Sequence, residues 1–185
     1  MFEIRKTAFN ADEFDRVQFV CKARLNDPKN PFKTIVHVEW SKTGSRLIAS
    51  DGKRLHVAEV RQRINRGNYK PTITRDTISF GEPVEGIMFP NWKSVVPEVT
   101  VKKGTINLAD AGMSRNTDLS AGLSVAFSTL VKKTGETVNL RYLDDLPKKE
   151  WAVSIQKEKK TVILLEQKGA ATETYAVFVP LEKAA

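Results

Sequence analysis

Cysteine is nearly absent from this chain: Cys21 is the only one among 185 residues. A lone thiol forms no internal disulfide, which fits a reducing cytosol and leads us to expect a cytoplasmic protein. Histidine is as scarce, with only His37 and His56. No Cys/His cluster shows metal-ligand spacing, and no Gly-x-Gly-x-x-Gly or phosphate-loop signature occurs. No apolar run approaches the ~20 residues needed to span a bilayer. The stretch Met1-Phe2-Glu3-Ile4-Arg5-Lys6 lacks the apolar core of a signal peptide. These absences argue against a disulfide scaffold, a zinc module, a nucleotide-binding loop and a membrane protein. They call for no metal and no cofactor. Cys21 reads as a buried small apolar residue on a helix, and nothing orients Cys21 and His37 as a nucleophile pair. Asp144-Asp145-Leu146-Pro147 has the composition of a turn rather than of a carboxylate catalyst. We therefore expect a protein that is not an enzyme.

What the chain does have is positive charge. The formal net charge is +8 and the pI about 9.6. A basic surface attracts phosphate backbones through counterion release. The cations are spread along the chain, so any basic face must be assembled by folding. Apolar residues at 41% and charged residues at 28% describe an ordinary globular protein. The length suits one domain or a tight pair of half-domains.

The periodicity reads as strand, helix and several strands, written twice. Residues 2–6 suggest a strand. Asn10 and Glu13 have the spacing of a capping box ahead of a helix over 11–25. Phe14, Val17, Cys21 and Leu25 form its core stripe, and prolines end it by residue 31. Strands are expected over 34–40, 46–50, 55–60 and 72–80. The basic stretch 61–69 reads as a loop or frayed edge. Pro90 and Pro97 bracket a short turn at 92–96. The second half predicts a strand over 105–109, a polar loop over 110–117 and a helix over 119–133 with Leu123, Phe127, Leu130 and Val131 inward. Gly135 sits at its C-cap. Strands over 137–143, 151–156, 161–167 and 174–181 complete it.

Three separated pieces stand out. The first is the turn Ser50-Asp51-Gly52-Lys53-Arg54-Leu55. The second is Phe89-Pro90-Asn91-Trp92-Lys93-Ser94-Val95-Val96-Pro97. The third is Tyr175-Ala176-Val177-Phe178-Val179-Pro180-Leu181. In this order they resemble the bacterial DNA polymerase III β sliding clamp family, in which a TDG-[HKR]-RL turn, an FPDY-like connector and a V-x-MP-x-RL-like strand converge on one groove. Departures are visible: Ser50 replaces Thr, Asn91-Trp92 replaces Asp-Tyr, Val179 stands where Met is common, and the Arg after the final Pro is missing.

The resemblance implies an α+β, DNA-clamp-like domain of two βαβββ halves, with sheets outside and two helices packed together. Half one would cover about 1–86 and half two about 87–185. It implies a groove for short linear peptides of polymerase or repair proteins, with Arg54, Leu55, Pro90, Trp92, Val95, Val177, Val179 and Pro180 at the matching positions. Strand patterning alone equally allows Leu55, Val95, Val177 and Val179 to be core residues. It also implies nonspecific contacts to double-stranded DNA. The candidates are Arg16, Lys22 and Arg24 on the first helix, Lys53 and Arg54 in the turn, and Lys132 and Lys133 on the second helix. A solvated helix face is the plainer reading of each. Arg61, Arg63 and Arg66 are open to two readings, a separate nucleic-acid patch or a basic loop. Trp40, Trp92 and Trp151 are open to base stacking or to core packing. A ring built from such short chains would require a homo-oligomer. The size suggests a phage or mobile-element version, or a shortened paralogue. Two other classes stay open: a small basic nucleic-acid binder and a protein-interaction module.

Overall fold

The computed structural model describes residues 2–98, 100–109, 121–158 and 160–182. It divides into two compact units. One comprises Met1–Trp92 with Ala171–Thr174, the other Lys93–Ala170 with Tyr175–Ala185.

In the first unit, β1 (Phe2–Arg5) leads to α1 (Ala11–Lys22), followed by β2 (Val36–Trp40), β3 (Ser45–Ser50), β4 (Arg54–Val60), β5 (Gly67–Tyr69), β6 (Thr72–Ile73) and β7 (Thr77–Phe80). β1, β7 and β6 form a small antiparallel sheet. The larger antiparallel array runs β5-β2-β3-β4. The apolar stripe of α1 packs on β3, β4 and β7. Phe14, Val17, Phe19, Val20 and Cys21 are buried there with Leu47, Val57 and Phe80. Burial of that stripe, rather than helix propensity, holds so short a helix.

The start of α1 differs from the expectation. Asn10 makes no side-chain cap. Its Oδ1 accepts from the Thr7 N–H at 2.8 Å and the Thr7 hydroxyl at 2.9 Å, while its Nδ2 donates to the Arg5 carbonyl at 2.8 Å. Glu13 reaches elsewhere, its Oε1 accepting from the Arg61 N–H at 2.9 Å. The side chains therefore tie the preceding loop and the 61–66 segment instead of closing a capping box. The helix also stops at Lys22, three residues early. Leu25 lies beyond it and is 50% exposed, outside the core stripe. Two arginines reward the early stop by bonding the last carbonyls of the helix, as described below.

The 72–80 stretch is a hairpin rather than one strand, because Thr74 turns the chain: its N–H donates to the Thr77 carbonyl and its Oγ1 accepts from the Thr77 N–H. The basic stretch splits. Residues 61–66 form a loop, and Gly67–Tyr69 is a short strand paired with β2.

The second unit contains β8 (Val101–Asn107), α2 (Ala121–Thr134), α3 (Leu140–Asp144), β9 (Glu150–Gln156), β10 (Val162–Gln167) and β11 (Thr174–Phe178), whose first residue clusters with the other unit. Its antiparallel array runs β11-β10-β9-β8. α2 packs against β8, β9 and α3, with Leu123, Ala126 and Leu130 buried. Phe127 and Val131 are half-buried. Gly135 follows the helix at φ +74, as a C-cap glycine does. The expected 110–117 loop and the first residues of the 119–133 helix lie outside the described residues.

The predicted strand over 137–143 is not a strand. Asn139 Oδ1 accepts from the Arg141 N–H at 3.1 Å and caps α3. The apolar residues there satisfy a helical spacing as well as an alternating one, Leu140 and Leu143 falling three apart within α3. The cap decided between the two periods.

Candidate functional site

The Asp51 turn is built from its own side chains. Ser50 Oγ donates to the Arg54 carbonyl at 2.7 Å and accepts from the Gly52 N–H at 3.0 Å. Asp51 Oδ1 accepts from the Lys53 and Arg54 N–H groups at 2.8 and 2.9 Å. Gly52 sits at φ +89, a conformation that costs any residue with a Cβ. The Arg54 side chain is not free to roam. Its Nε donates to Asp51 Oδ2 at 3.0 Å, and its Nη2 donates to the Lys22 carbonyl at 2.6 Å. The side chains of Arg54 and Asp51 are only 9% and 11% exposed.

Arg24 does similar duty two residues past the helix end. Its Nε donates to the Cys21 carbonyl at 3.1 Å. Two guanidiniums thus meet carbonyls that α1 leaves open, at the helix end where positive charge is favourable. Arg16 is buried, and its Nε has no hydrogen-bond partner among the described residues. Of the candidate DNA contacts in this unit, Lys22 and Lys53 are exposed. In the second unit, Lys132 is exposed. Lys133 is half-buried and lies over the β8–β9 irregularity, where its Nζ would meet a Cβ placed on Gly104 at 2.8 Å. Gly104 itself is at φ +100, so the lysine covers a kink that glycine permits.

The candidate peptide-contact positions fall into buried and exposed groups. In the first unit, Leu55 is buried in β4 and Pro90 is exposed. Trp92 is buried, and its Nε1 donates to Glu39 Oε1 at 3.1 Å. The Arg46 guanidinium carbon lies 5.7 Å from its ring centre. Residues 84–92 are laid across this unit by specific bonds. The Val84 N–H donates to the Asn68 carbonyl and Asn68 Nδ2 donates to the Ile87 carbonyl, each at 2.6 Å. Phe89 stacks on His37 with ring centres 5.1 Å apart. In the second unit, Val95 is 52% exposed, Val177 is buried in β11, and Val179 and Pro180 are half-buried.

The histidines and the cysteine serve the interior. His56 is buried, stacked on Phe19 at 4.1 Å, with Nδ1 2.8 Å from the Phe19 carbonyl. Burial, aided by the Arg54 charge, pushes its pKa down to about 3, so the ring is neutral at pH 7. Burial pushes the Cys21 thiol up to about 12, leaving no reactive thiolate. Among the described residues no group of three or more His, Cys, Asp or Glu side chains is placed to hold a metal ion, and no helix is long and apolar enough to cross a membrane. Of the tryptophans, Trp92 and Trp151 are buried, while Trp40 is 44% exposed.

One feature escaped sequence reasoning. Ile64, in the middle of the basic loop, is buried, and its N–H donates to Ser45 Oγ at 2.7 Å while its carbonyl accepts from Trp40 Nε1 at 3.0 Å. The signal was a lone apolar residue between arginines, too short to show a period.

No family model matches the sequence, and no curated protein does. Solved structures do match. The DNA polymerase III β subunit of Thermotoga maritima is 14% identical with a TM-score of 0.62, over 99% of this chain and 65% of that one. The β chain of Streptococcus pneumoniae is 10% identical with a TM-score of 0.62, over 98% and 64%. The sliding clamp of Pseudomonas aeruginosa bound to griselimycin is 11% identical with a TM-score of 0.59, over 98% and 65%. The chain thus spans just under two thirds of these proteins' length. The likeness in strand and helix arrangement, at identities this low, establishes that the chain has the α+β fold of the DNA polymerase III β sliding clamp.

Proposed function

We propose that this protein is a non-enzymatic, clamp-like scaffold that touches DNA phosphates without reading sequence and binds short peptide segments of replication or repair proteins in the cytoplasm. The observation that carries the reading is a fold likeness over nearly the whole chain, joined to a net charge of +8. Its two units are read as the two halves of one clamp-type domain. Phosphate contact falls to cations that stand in solvent, Lys22 and Lys53 in the first unit and Lys132 in the second, with Lys133 next to Lys132 in sequence. Arg24 and Arg54 hold the end of α1 and the turn after β3, next to Lys22 and Lys53, while Arg16 is buried.

Peptide contact is assigned to Arg54, Leu55, Pro90, Trp92, Val95, Val177, Val179 and Pro180. The exposed Pro90 and Val95 supply direct apolar contact. A short peptide with a few apolar anchors suits exposed side chains of this kind. A ring, on this reading, needs several copies joined head to tail.

The test is calorimetric titration with griselimycin, which a clamp of this fold binds, followed by a Val95→Asp variant. Binding by the wild type, weakened at least tenfold by the variant, supports peptide capture. No heat at any concentration removes it. Light scattering on the same samples reads the mass, and a monomer rules out an encircling ring. Retention on closed circular DNA and loss from linear DNA would mark a ring, whereas equal, salt-sensitive binding to both would mark simple phosphate attraction.

A further inference from the structure

The stretch Arg61-Gln62-Arg63-Ile64-Asn65-Arg66-Gly67-Asn68-Tyr69-Lys70 contains four cations and no acid. The structure gives it a fixed shape. Ile64 is plugged into the core and bonded through both backbone groups, to Ser45 and to Trp40. The Tyr69 hydroxyl donates to the Asn65 carbonyl at 2.8 Å. The Arg61 N–H is held by Glu13. The arginines are therefore displayed from a pinned loop.

Two of them lie on the same indole. The Arg63 guanidinium carbon is 4.7 Å, and that of Arg66 4.3 Å, from the Trp40 ring centre. Trp40 ends β2 and is 44% exposed. Among the described residues, neither arginine forms an ion pair. Stacking on an indole leaves the guanidinium edges, with their N–H donors, facing outward for anions. Planar cations layered on an indole also present flat faces and charge of the kind single strands use: bases stack on flat groups, the guanidinium plane included, and phosphates meet the charges. Duplex offers only its phosphates to such a cluster, because its bases are already stacked.

We propose that Trp40, Arg63 and Arg66, with Arg61 beside them, form a binding site for single-stranded nucleic acid. The site uses residues separate from those assigned above to duplex and peptide contact, and it stands whether or not the clamp reading holds.

The experiment uses the full chain and a fluorescein-labelled dT20 probe, read by anisotropy at low salt, with an unlabelled 20-base-pair duplex as competitor. The intrinsic fluorescence of Trp40 gives a second signal, since Trp92 and Trp151 are buried. The expected result is binding of dT20 with quenching of tryptophan emission, the quench vanishing in Trp40→Phe. The double variant Arg63→Ala/Arg66→Ala should bind about tenfold or more weakly, with a salt slope shallower by about 1.4 for two lost phosphate contacts. Arg63→Lys/Arg66→Lys keeps the charge but loses the flat cation, and should fall between the two; it guards against a misfolded alanine variant. Failure of the wild type to bind dT20 overturns the proposal. So does binding indifferent to both arginine variants. Duplex competing as well as dT20 would make this a plain phosphate surface, and poly-glutamate competing as well would make it a dock for acidic protein; either result overturns it too.

Discussion

Two arginine sites, one at the start of β4 and one beyond its end, handle the same side chain in opposite ways. At the turn after β3, Arg54 is nearly buried, paired with Asp51 and bonded to the end of α1. At the loop after β4, Arg63 and Arg66 lie on an exposed indole, with no carboxylate partner among the described residues. In sequence the first segment reads as a turn that carries Lys53 and Arg54, the second as a basic loop or frayed edge. The difference teaches that availability of a cation for a ligand is set by what the fold places beside it. A guanidinium that completes a helix end contributes to stability, whereas one stacked on an exposed ring remains open to solvent and anions.

The contrast can be broken most sharply at Arg54. Arg54→Ala leaves the Asp51 carboxylate without its ion pair and the Lys22 carbonyl without its donor. We expect a loss of about 3 kcal/mol in urea unfolding, as for one partner removed from a largely buried pair. A loss under about 1 kcal/mol would mean the turn is no more stabilising than a surface bridge.

A smaller effect is expected from pH. His56 stands beside that turn and is held neutral, its folded pKa near 3 against an ordinary value of 6.5. A depressed histidine favours the folded state fully above pH 6.5, and that contribution is lost as pH falls toward 3, because the unfolded chain takes up the proton first. Between pH 6.5 and 4.5 this amounts to about 2 kcal/mol. His56→Gln should flatten that part of the stability curve; an unchanged slope would assign it to other groups.

Gly52→Ala tests the turn's backbone at φ +89. Where the Cβ would point there is only the end of the Lys33 side chain, at 3.4 Å. The expected cost of about 1 kcal/mol is therefore conformational rather than steric. A neutral result in thermal melts would show that the turn relaxes.

The smallest change in stability belongs to the contrasting site. Arg63→Ala should move unfolding by only about 0.5 kcal/mol, the size of an exposed cation–π contact. Destabilisation comparable to that of Arg54→Ala would erase the distinction between the two sites.

Much of the secondary structure was legible because apolar periods are local. The α1 stripe, the strands 46–50 and 55–60, the glycine turn and the Gly135 cap all follow from neighbours in sequence. The misreadings have a common cause. Asn10 and Glu13 have capping spacing but bond instead to Thr7, Arg5 and Arg61. Leu25 has helical phase but falls after the helix end. Residues 137–143 satisfy two periods, and one Asn139 hydrogen bond settled the matter. The candidate contacts were harder still, since an exposed lysine and a buried arginine look alike in a sequence.

By itself the sequence determined most of the alternation of strands and helices, the glycine-dependent turn, the excess of positive charge and the resemblance to a clamp, because each is carried by residue type and short spacing. The tertiary structure alone decided which cations stand in solvent, that Ile64 anchors the basic loop, and that Trp40 meets two arginines. Those outcomes depend on contacts between distant segments, whose partners no local pattern names.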